Sequence, residues 1–209
     1  IYNTTMVSEK PDSWSAMWDP KYSGEILTFN NSRDAFGVAQ YLLGYDVNST
    51  NPDEWRAAEE KLKEQKPLIQ SYVMDEVFNK MEAGEAAMAP YYAGDYLTMK
   101  QENDDLAFVY PKEGTNKFVD VMCIPSSSEN KKAAELFINY MCEPEVALHN
   151  ANYLGYLCPV TAVLSDDRYE YKDNEVLYPK QEVKTQFFHN LDQDTLDLLS
   201  KLWEDLKLA

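Results

Sequence analysis

The sequence predicts an α/β protein, because segments typical of strands alternate along the chain with segments typical of helices. Hydrophobic residues make up 44% of the 209 residues, which is enough to build a substantial core. No apolar run approaches the roughly 20 residues that are needed to span a bilayer. We therefore expect a mainly parallel sheet flanked by helices.

The elements follow from the spacing of apolar residues and from the Gly, Pro and Asn residues between them. The predicted strands are 24–29, 68–73, 86–91, 106–110 and 117–124. The predicted helices are 11–18, 34–43, 50–65, 76–82, a segment ending near 101, 130–140, 144–153 and 191–208.

Single residues fix several of these limits. Asn51 is a typical N-cap and Pro52 suits the first helical position, so a helix should begin there. Gly44 is the expected C-cap of the helix before it. Asp75 is the expected cap of the next helix, and Pro125 should end the last predicted strand.

The charge of the chain restricts its partners. The formal net charge is -17 and the pI is about 4.4, so phosphate backbones are repelled and nucleic acid is not an expected partner. Such a surface attracts cations instead.

Cys123, Cys142 and Cys158 lack metal-ligand spacing, and we expect Cys123 and Cys142 to be buried.

The sequence contains no motif that assigns a catalytic residue, a cofactor or a metal. Neither a dinucleotide fingerprint nor a GxSxG or HExxH pattern is present. His149 and His189 are interpreted as structural or surface residues. The residues alone therefore single out no catalytic group, and a pair of carboxylates acting as in a glycosidase stays open.

The stretch 110–125 contains the first candidate ligand residues. On a strand over 117–124, Phe118 and Asp120 would lie on the same face. A ring face attracts an organic cation and a carboxylate pairs with it, although an ordinary sheet edge could have the same composition. Asp34, Tyr92 and Asp95 follow predicted strands, where α/β sheets bind ligands, but the two acids could simply complement helix dipoles.

Several consecutive segments resemble the spermidine/putrescine-binding proteins of bacterial ABC importers. They are PDSWSAMWDPKYSGEI, SRDAFGVAQYLLGYDVNSTNPDEWRAAEEKL, YPKEGTNKFVDVMCIP and NKKAAELFINYMCEPEVALHNANYLGYLCP. The resemblance implies a periplasmic-binding-protein-like fold of type II, with a polyamine held in the cleft between two lobes.

The resemblance also implies a domain organisation and partners. Residues 1–118 would form the second lobe, residues 119–166 would cross to a first lobe that is largely missing from these 209 residues, and residues 167–209 would return. ABC transporter permease subunits are the implied partners. The implied location is the periplasm or the outer face of the membrane, with a lipid anchor or fusion to the permease, and the signal segment is absent from this chain.

Carried over position by position, the resemblance implies a set of ligand-binding residues. They are Asn31, Asp34, Tyr92, Phe118, Asp120, Tyr156 and Phe188. Asn31 stands where an acid is common, Asp34 is shorter than the usual Glu, and Phe118 replaces a usual Trp.

Three alternatives remain open. One is a binding protein for another small amine or solute on the same scaffold. Another is a hydrolase that uses two carboxylates, one of which would have a strongly raised pKa. The last is a fragment that forms a non-native dimer to cover surface that a first lobe would cover.

Overall fold

A computed structural model describes residues 1–209 and confirms the prediction of an α/β protein. Its strands are β1 (Tyr2–Asn3), β2 (Ile26–Phe29), β3 (Ile69–Val73), β4 (Leu106–Ala107), β5 (Thr115–Lys117) and β6 (Thr185–Phe187). Its helices are α1 (Ser32–Leu43), α2 (Pro52–Gln65), α3 (Glu76–Glu82), α4 (Ala93–Glu102), α5 (Lys131–Met141), α6 (Pro144–Leu154), α7 (Thr161–Leu164) and α8 (Gln193–Leu208). Short 3-10 turns occupy Trp14–Trp18, Pro20–Tyr22 and Lys66–Leu68.

The main sheet is mixed. β2 and β3 pair in parallel, whereas β1 and β4 pair antiparallel. Between these pairs runs the buried segment 86–89, whose Met88 bridges to Tyr2 on one side and to Ile26 on the other. The expectation of a mainly parallel sheet is wrong for the β1–β4 half, because local sequence marks where strands occur but not the direction in which distant strands meet.

The helices α1, α2 and α8 cover one side of the molecule and share an apolar cluster. Phe36, Trp55 and Leu206 are fully buried within it. Two predicted caps are confirmed: Asn51 accepts a hydrogen bond from the backbone N–H of Asp53, and Gly44 ends α1 with φ of +75°. Asp75 precedes α3 as predicted, but its side chain makes no capping hydrogen bond. No helix of the structure combines the length and the hydropathy that crossing a membrane requires.

The predicted strand over 117–124 is wrong. The strand is β5, which ends at Lys117 and pairs in parallel with β6. Residues 118–124 form no helix or strand and are mostly exposed. Strand-forming residues need a neighbouring backbone to pair with, and none lies beside this segment, so Phe118 and Asp120 are not placed by a strand.

This segment and α5 both expose large apolar side chains. They are Val119, Val121, Met122, Leu136, Phe137 and Tyr140, and together we call them the exposed apolar face. No residue of α5 is buried, although the helix is amphipathic. Cys123 and Cys142 are also exposed, so their predicted burial is wrong: apolar neighbours in sequence do not bury a side chain unless another part of the chain packs over it.

Candidate ligand-binding site

The candidate site lies where two buried segments of the main sheet lead into helices. β2 ends at Phe29, and Asn30 and Asn31 lead into α1. The segment 86–89 leads through Pro90 to Tyr92, which is the N-cap residue of α4. Both helices begin at this edge, so their first turns point backbone N–H groups and acidic side chains towards the same region.

Asp34 lies in the first turn of α1 and is held from two sides. The Tyr92 hydroxyl donates to Asp34 Oδ2 at 3.1 Å. The Asn116 amide on β5 donates to Asp34 Oδ1 at 3.4 Å. Burial raises the pKa of Asp34 above its usual value, and the Tyr92 hydrogen bond and the charge of Arg33 lower it again in part. The carboxylate is therefore oriented before any ligand arrives.

Five aromatic rings form a continuous row beside this carboxylate, which we call the aromatic row. In order, the row contains Phe78, Tyr91, Tyr92, Phe118 and Tyr156. Neighbouring ring centroids are 4.8 to 6.2 Å apart. Phe29 packs behind Tyr91 and Tyr92 at 5.8 and 5.6 Å. These distances are in the range of favourable aromatic pairs.

A second carboxylate meets the far end of the aromatic row. Asp95 lies in the first turn of α4, close to the Tyr156 hydroxyl. Burial raises the pKa of Asp95, and the nearby Tyr156 hydroxyl lowers it in part. The Tyr156 ring lies directly on Gly94, and a Cβ at that glycine would lie only 2.2 Å from the ring.

A third tyrosine and acid extend the site towards solvent. The Tyr91 hydroxyl donates to Asp75 Oδ1 at 3.4 Å. The charge of Asp75 also contributes to the raised pKa of Asp95, so the two carboxylates repel each other. Tyr91 and Tyr92 thus each donate a hydrogen bond to a separate acid, and Tyr156 lies close to a third. The region combines apolar ring surface with concentrated negative charge.

Phe188 lines the same small cavity as Asp34. Its ring packs against Gly37, where a Cβ would lie 2.9 Å from it, and the Arg33 guanidinium lies 4.6 Å from its centroid. Asp34, Tyr92, Asn116 and Phe188 line a cavity of about 30 Å³. That space is sufficient for one or two water-sized groups.

The structure brings most of the predicted site residues together. Asp34, Tyr92, Phe118 and Tyr156 are linked by the contacts described above, and Phe188 shares the cavity with Asp34. Asn31 is the N-cap of α1, and its oxygen accepts the N–H groups of Arg33 and Asp34. Asp120 is exposed and forms no hydrogen bond or ion pair within the chain.

The sequence does not predict Tyr91, Asp75 or Asn116 as site residues. It predicts Asp95 only by its position after a strand, and the resemblance does not include it. The Asp and Tyr residues follow buried segments at the same edge, which was a usable signal. Asn116 gave none, because its approach to Asp34 depends on the pairing of β5 with β6.

The chemistry of the site suits an organic cation. Carboxylates and tyrosine hydroxyl oxygens accept N–H groups, and the rings can cover methylene groups. No set of three or more His, Cys, Asp or Glu side chains is arranged to hold a metal ion.

Comparison with known proteins identifies the family. The family model described as bacterial extracellular solute-binding protein matches residues 1–177. The chain belongs to this family. Solute-binding proteins act by holding a ligand in a cleft, which fits a site formed by helix starts at one sheet edge.

Named relatives within this family include polyamine-binding proteins. The spermidine/putrescine-binding periplasmic protein of Escherichia coli is 32% identical over 81% of this chain and 49% of its own length. The Haemophilus influenzae spermidine/putrescine-binding periplasmic protein 1 is 26% identical over the whole chain and 58% of its own length. The chain thus spans about half the length of these relatives.

Solved structures show the same fold. The spermidine/putrescine ABC transporter substrate-binding protein PotD from Streptococcus pneumoniae matches with a TM-score of 0.84 at 31% identity. The match covers 99% of this chain and 65% of the other. The expected fold of a periplasmic-binding-protein-like lobe is confirmed.

Proposed function

We propose that this chain provides a polyamine-binding surface of an ABC importer's solute-binding protein, with spermidine or putrescine as the ligand. The observation that carries the proposal is the oriented Asp34 carboxylate beside the aromatic row, with Asp95 at the far end of that row. The names of the relatives in Escherichia coli and Haemophilus influenzae support the same ligand class.

The binding mechanism follows from the shape of a polyamine. Its ammonium ends pair with Asp34 and Asp95, and its methylene groups lie on Tyr92, Phe118 and Tyr156. Taking an ion pair out of water costs free energy. The hydrogen bonds that already orient the Asp34 carboxylate reduce the further cost of ordering it when the ligand binds. Asp120 is exposed two residues beyond Phe118 and adds negative charge near the same row.

The proposed role is binding without catalysis. A hydrolase using two carboxylates would keep one of them protonated as an acid near neutral pH. Burial raises the pKa of both Asp34 and Asp95, but Asp34 also accepts hydrogen bonds from Tyr92 and Asn116. Donors on both of its oxygens orient this carboxyl as an acceptor, which suits cation binding.

One observation favours a second candidate, a different small amine on the same scaffold. The Asn31 oxygen is already engaged by two backbone N–H groups, so it is poorly available to an ammonium group. Charge at this end then comes from Asp34 alone, which favours a ligand that needs fewer acidic partners. The remaining six site residues serve both candidates.

The architecture and partners of the working protein belong to the proposal as well. Residues 1–118 and 167–209 form one lobe, and residues 119–166 contribute to a further lobe through the exposed apolar face. ABC transporter permease subunits would bind the closed, ligand-loaded protein in the periplasm or at the outer face of the cell membrane. A lipid anchor or fusion to the permease would keep the protein there.

A ligand screen by thermal unfolding tests the proposed function. At ten times the dissociation constant, a ligand of a chain of this size should raise Tm by about 3 to 6 °C. We expect spermidine and putrescine to do so, while neutral sugars and anions do not. A shift with another amine alone would select the second candidate, and no shift with any amine up to several millimolar would contradict both.

A further inference from the structure

Asn116 occupies an unusual position in the candidate site. It lies on β5, which pairs with β6, and its side chain reaches across to Asp34 on α1. The amide N–H group faces Asp34 Oδ1 at 3.4 Å, because an ionised carboxylate can only accept. The pairing of two short strands thus delivers a polar side chain to the most enclosed carboxylate of the site.

The oxygen atom of the Asn116 amide has no hydrogen-bond partner in the chain. Asn116 Oδ1 accepts no hydrogen bond from the chain, although the residue lines the cavity of about 30 Å³ beside Asp34. Tyr92 and the Asn116 N–H group each use one side of the Asp34 carboxylate. What remains around the cavity is a set of oxygen acceptors on Asp34, Tyr92 and Asn116.

We propose that Asn116 is a specificity-determining residue, which orients Asp34 and offers its own amide oxygen, so that this cavity takes an unsubstituted primary ammonium group and rejects a quaternary one. The inference rests on the proposed function and deepens it.

The physical basis is the difference between two cations of equal charge. A primary ammonium group has three N–H donors that match the three acceptors, and it is close to a water molecule in size. A trimethylammonium group has no donor and would leave buried acceptors unpaired. It also exceeds a space that holds only one or two water-sized groups.

The test compares two dications with the same spacer, 1,4-diaminobutane and its doubly trimethylated analogue, binding to the 209-residue chain. NMR titration measures both affinities, because it detects millimolar binding. We expect the diamine to bind the wild type at least about tenfold more tightly than the analogue. Asn116→Leu should reduce this ratio to near one, while Asn79→Leu at an exposed position of α3 should leave it unchanged.

A second readout separates this role from simple packing. Asn116→Leu removes a donor from Asp34, so the pKa of that carboxyl, followed by its ¹³C shift, should rise further above its usual value. An unchanged pKa together with an unchanged affinity ratio would overturn the role of Asn116. Absence of diamine binding to the wild type would instead overturn the proposed function, and with it this inference.

Discussion

Tyr156 reaches Asp95 because Gly94 leaves the first turn of α4 without a side chain. The ring lies where a Cβ would be, and a Cβ at Gly94 would come within 2.2 Å of it. The contact is with the body of the ring and not with a flexible chain end. This glycine is therefore required by close packing, and not by a special backbone angle, since its φ is not positive.

Replacing Gly94 with Ala should consequently destabilise the protein. Ala gains up to about 1 kcal/mol of helix propensity, but displacing Tyr156 costs more, so we expect a net loss of about 1 to 2 kcal/mol. Urea unfolding measures it. Gly37→Ala is the matched control, because its Cβ would meet only the far edge of Phe188 at 2.9 Å. An equal or larger loss in the control would contradict this reading.

The raised pKa values of Asp34 and Asp95 predict a dependence on pH with a definite sign. A carboxyl whose pKa is higher in the folded chain than in the unfolded chain stabilises the fold at low pH, and this contribution is lost as pH rises through the folded value. We therefore expect Asp34→Asn with Asp95→Asn to gain stability relative to wild type as pH rises from 4 towards 7.

Bound polyamine should have the opposite pH dependence: it should stabilise the folded chain more strongly as pH rises. Pairing with an ammonium group favours the ionised carboxylates, so ligand affinity should fall as pH drops through the raised pKa values. Urea unfolding of wild type and double variant, with and without spermidine, measures both effects. A stability difference between the two proteins that does not change with pH would contradict the pKa assignment.

The ribbon of β5 and β6 is held to the helical layer by a small polar clamp. Asn48 donates to the carbonyl oxygen of Phe187 at 2.8 Å and accepts the backbone N–H of His189 at 2.7 Å. Arg33 donates to Asn48 Oδ1 at 2.9 Å. The clamp fixes Phe188 against α1 and, through β5, keeps Asn116 beside Asp34.

Removing this clamp should loosen the ribbon. Asn48→Ala deletes three partly exposed hydrogen bonds, and we expect a loss of about 1 to 3 kcal/mol in the free energy of unfolding. Asn139→Ala on exposed α5 is the control and should change it by less than about 0.5 kcal/mol. Compared with the wild type, amide hydrogen exchange in β6 should be faster in Asn48→Ala but not in Asn139→Ala. Equal exchange in both variants would show that the clamp does not hold the ribbon.

Sequence reasoning found the helices better than it found this ribbon. Asn51, Pro52 and Gly44 act within a few residues of their own position, so α1 and α2 could be predicted from local signals. β5 and β6 are short and pair across about seventy residues of chain, which no local pattern encodes. For the same reason Asp34 and Tyr92 were found as candidates while Asn116 was not.

The exposed apolar face has consequences for the molecule as a whole. Val119, Val121, Leu136 and Phe137 are more than half exposed. Exposed apolar surface of this kind favours association in water. In the proposed two-lobed protein it would be covered by the further lobe, and in the isolated 209-residue chain a second copy can cover it.

We therefore expect the isolated chain to self-associate in sedimentation experiments at micromolar concentration. Leu136→Glu with Phe137→Glu should shift the equilibrium to monomer, since both substitutions place charge within the contact. Leu196→Glu on α8 is the control, because Leu196 is exposed outside this face. A chain that is monomeric at every concentration would contradict the expectation.

The most direct test of the central claim is the affinity of the chain for spermidine when the acids of the site are neutralised. We predict that Asp34→Asn with Asp95→Asn weakens binding, measured by NMR titration, by at least about tenfold. Asp167→Asn with Asp173→Asn removes the same charge from an exposed loop outside the site and should have little effect. Equal affinities for both double variants would contradict a cation site built on Asp34, Asp95 and the aromatic row.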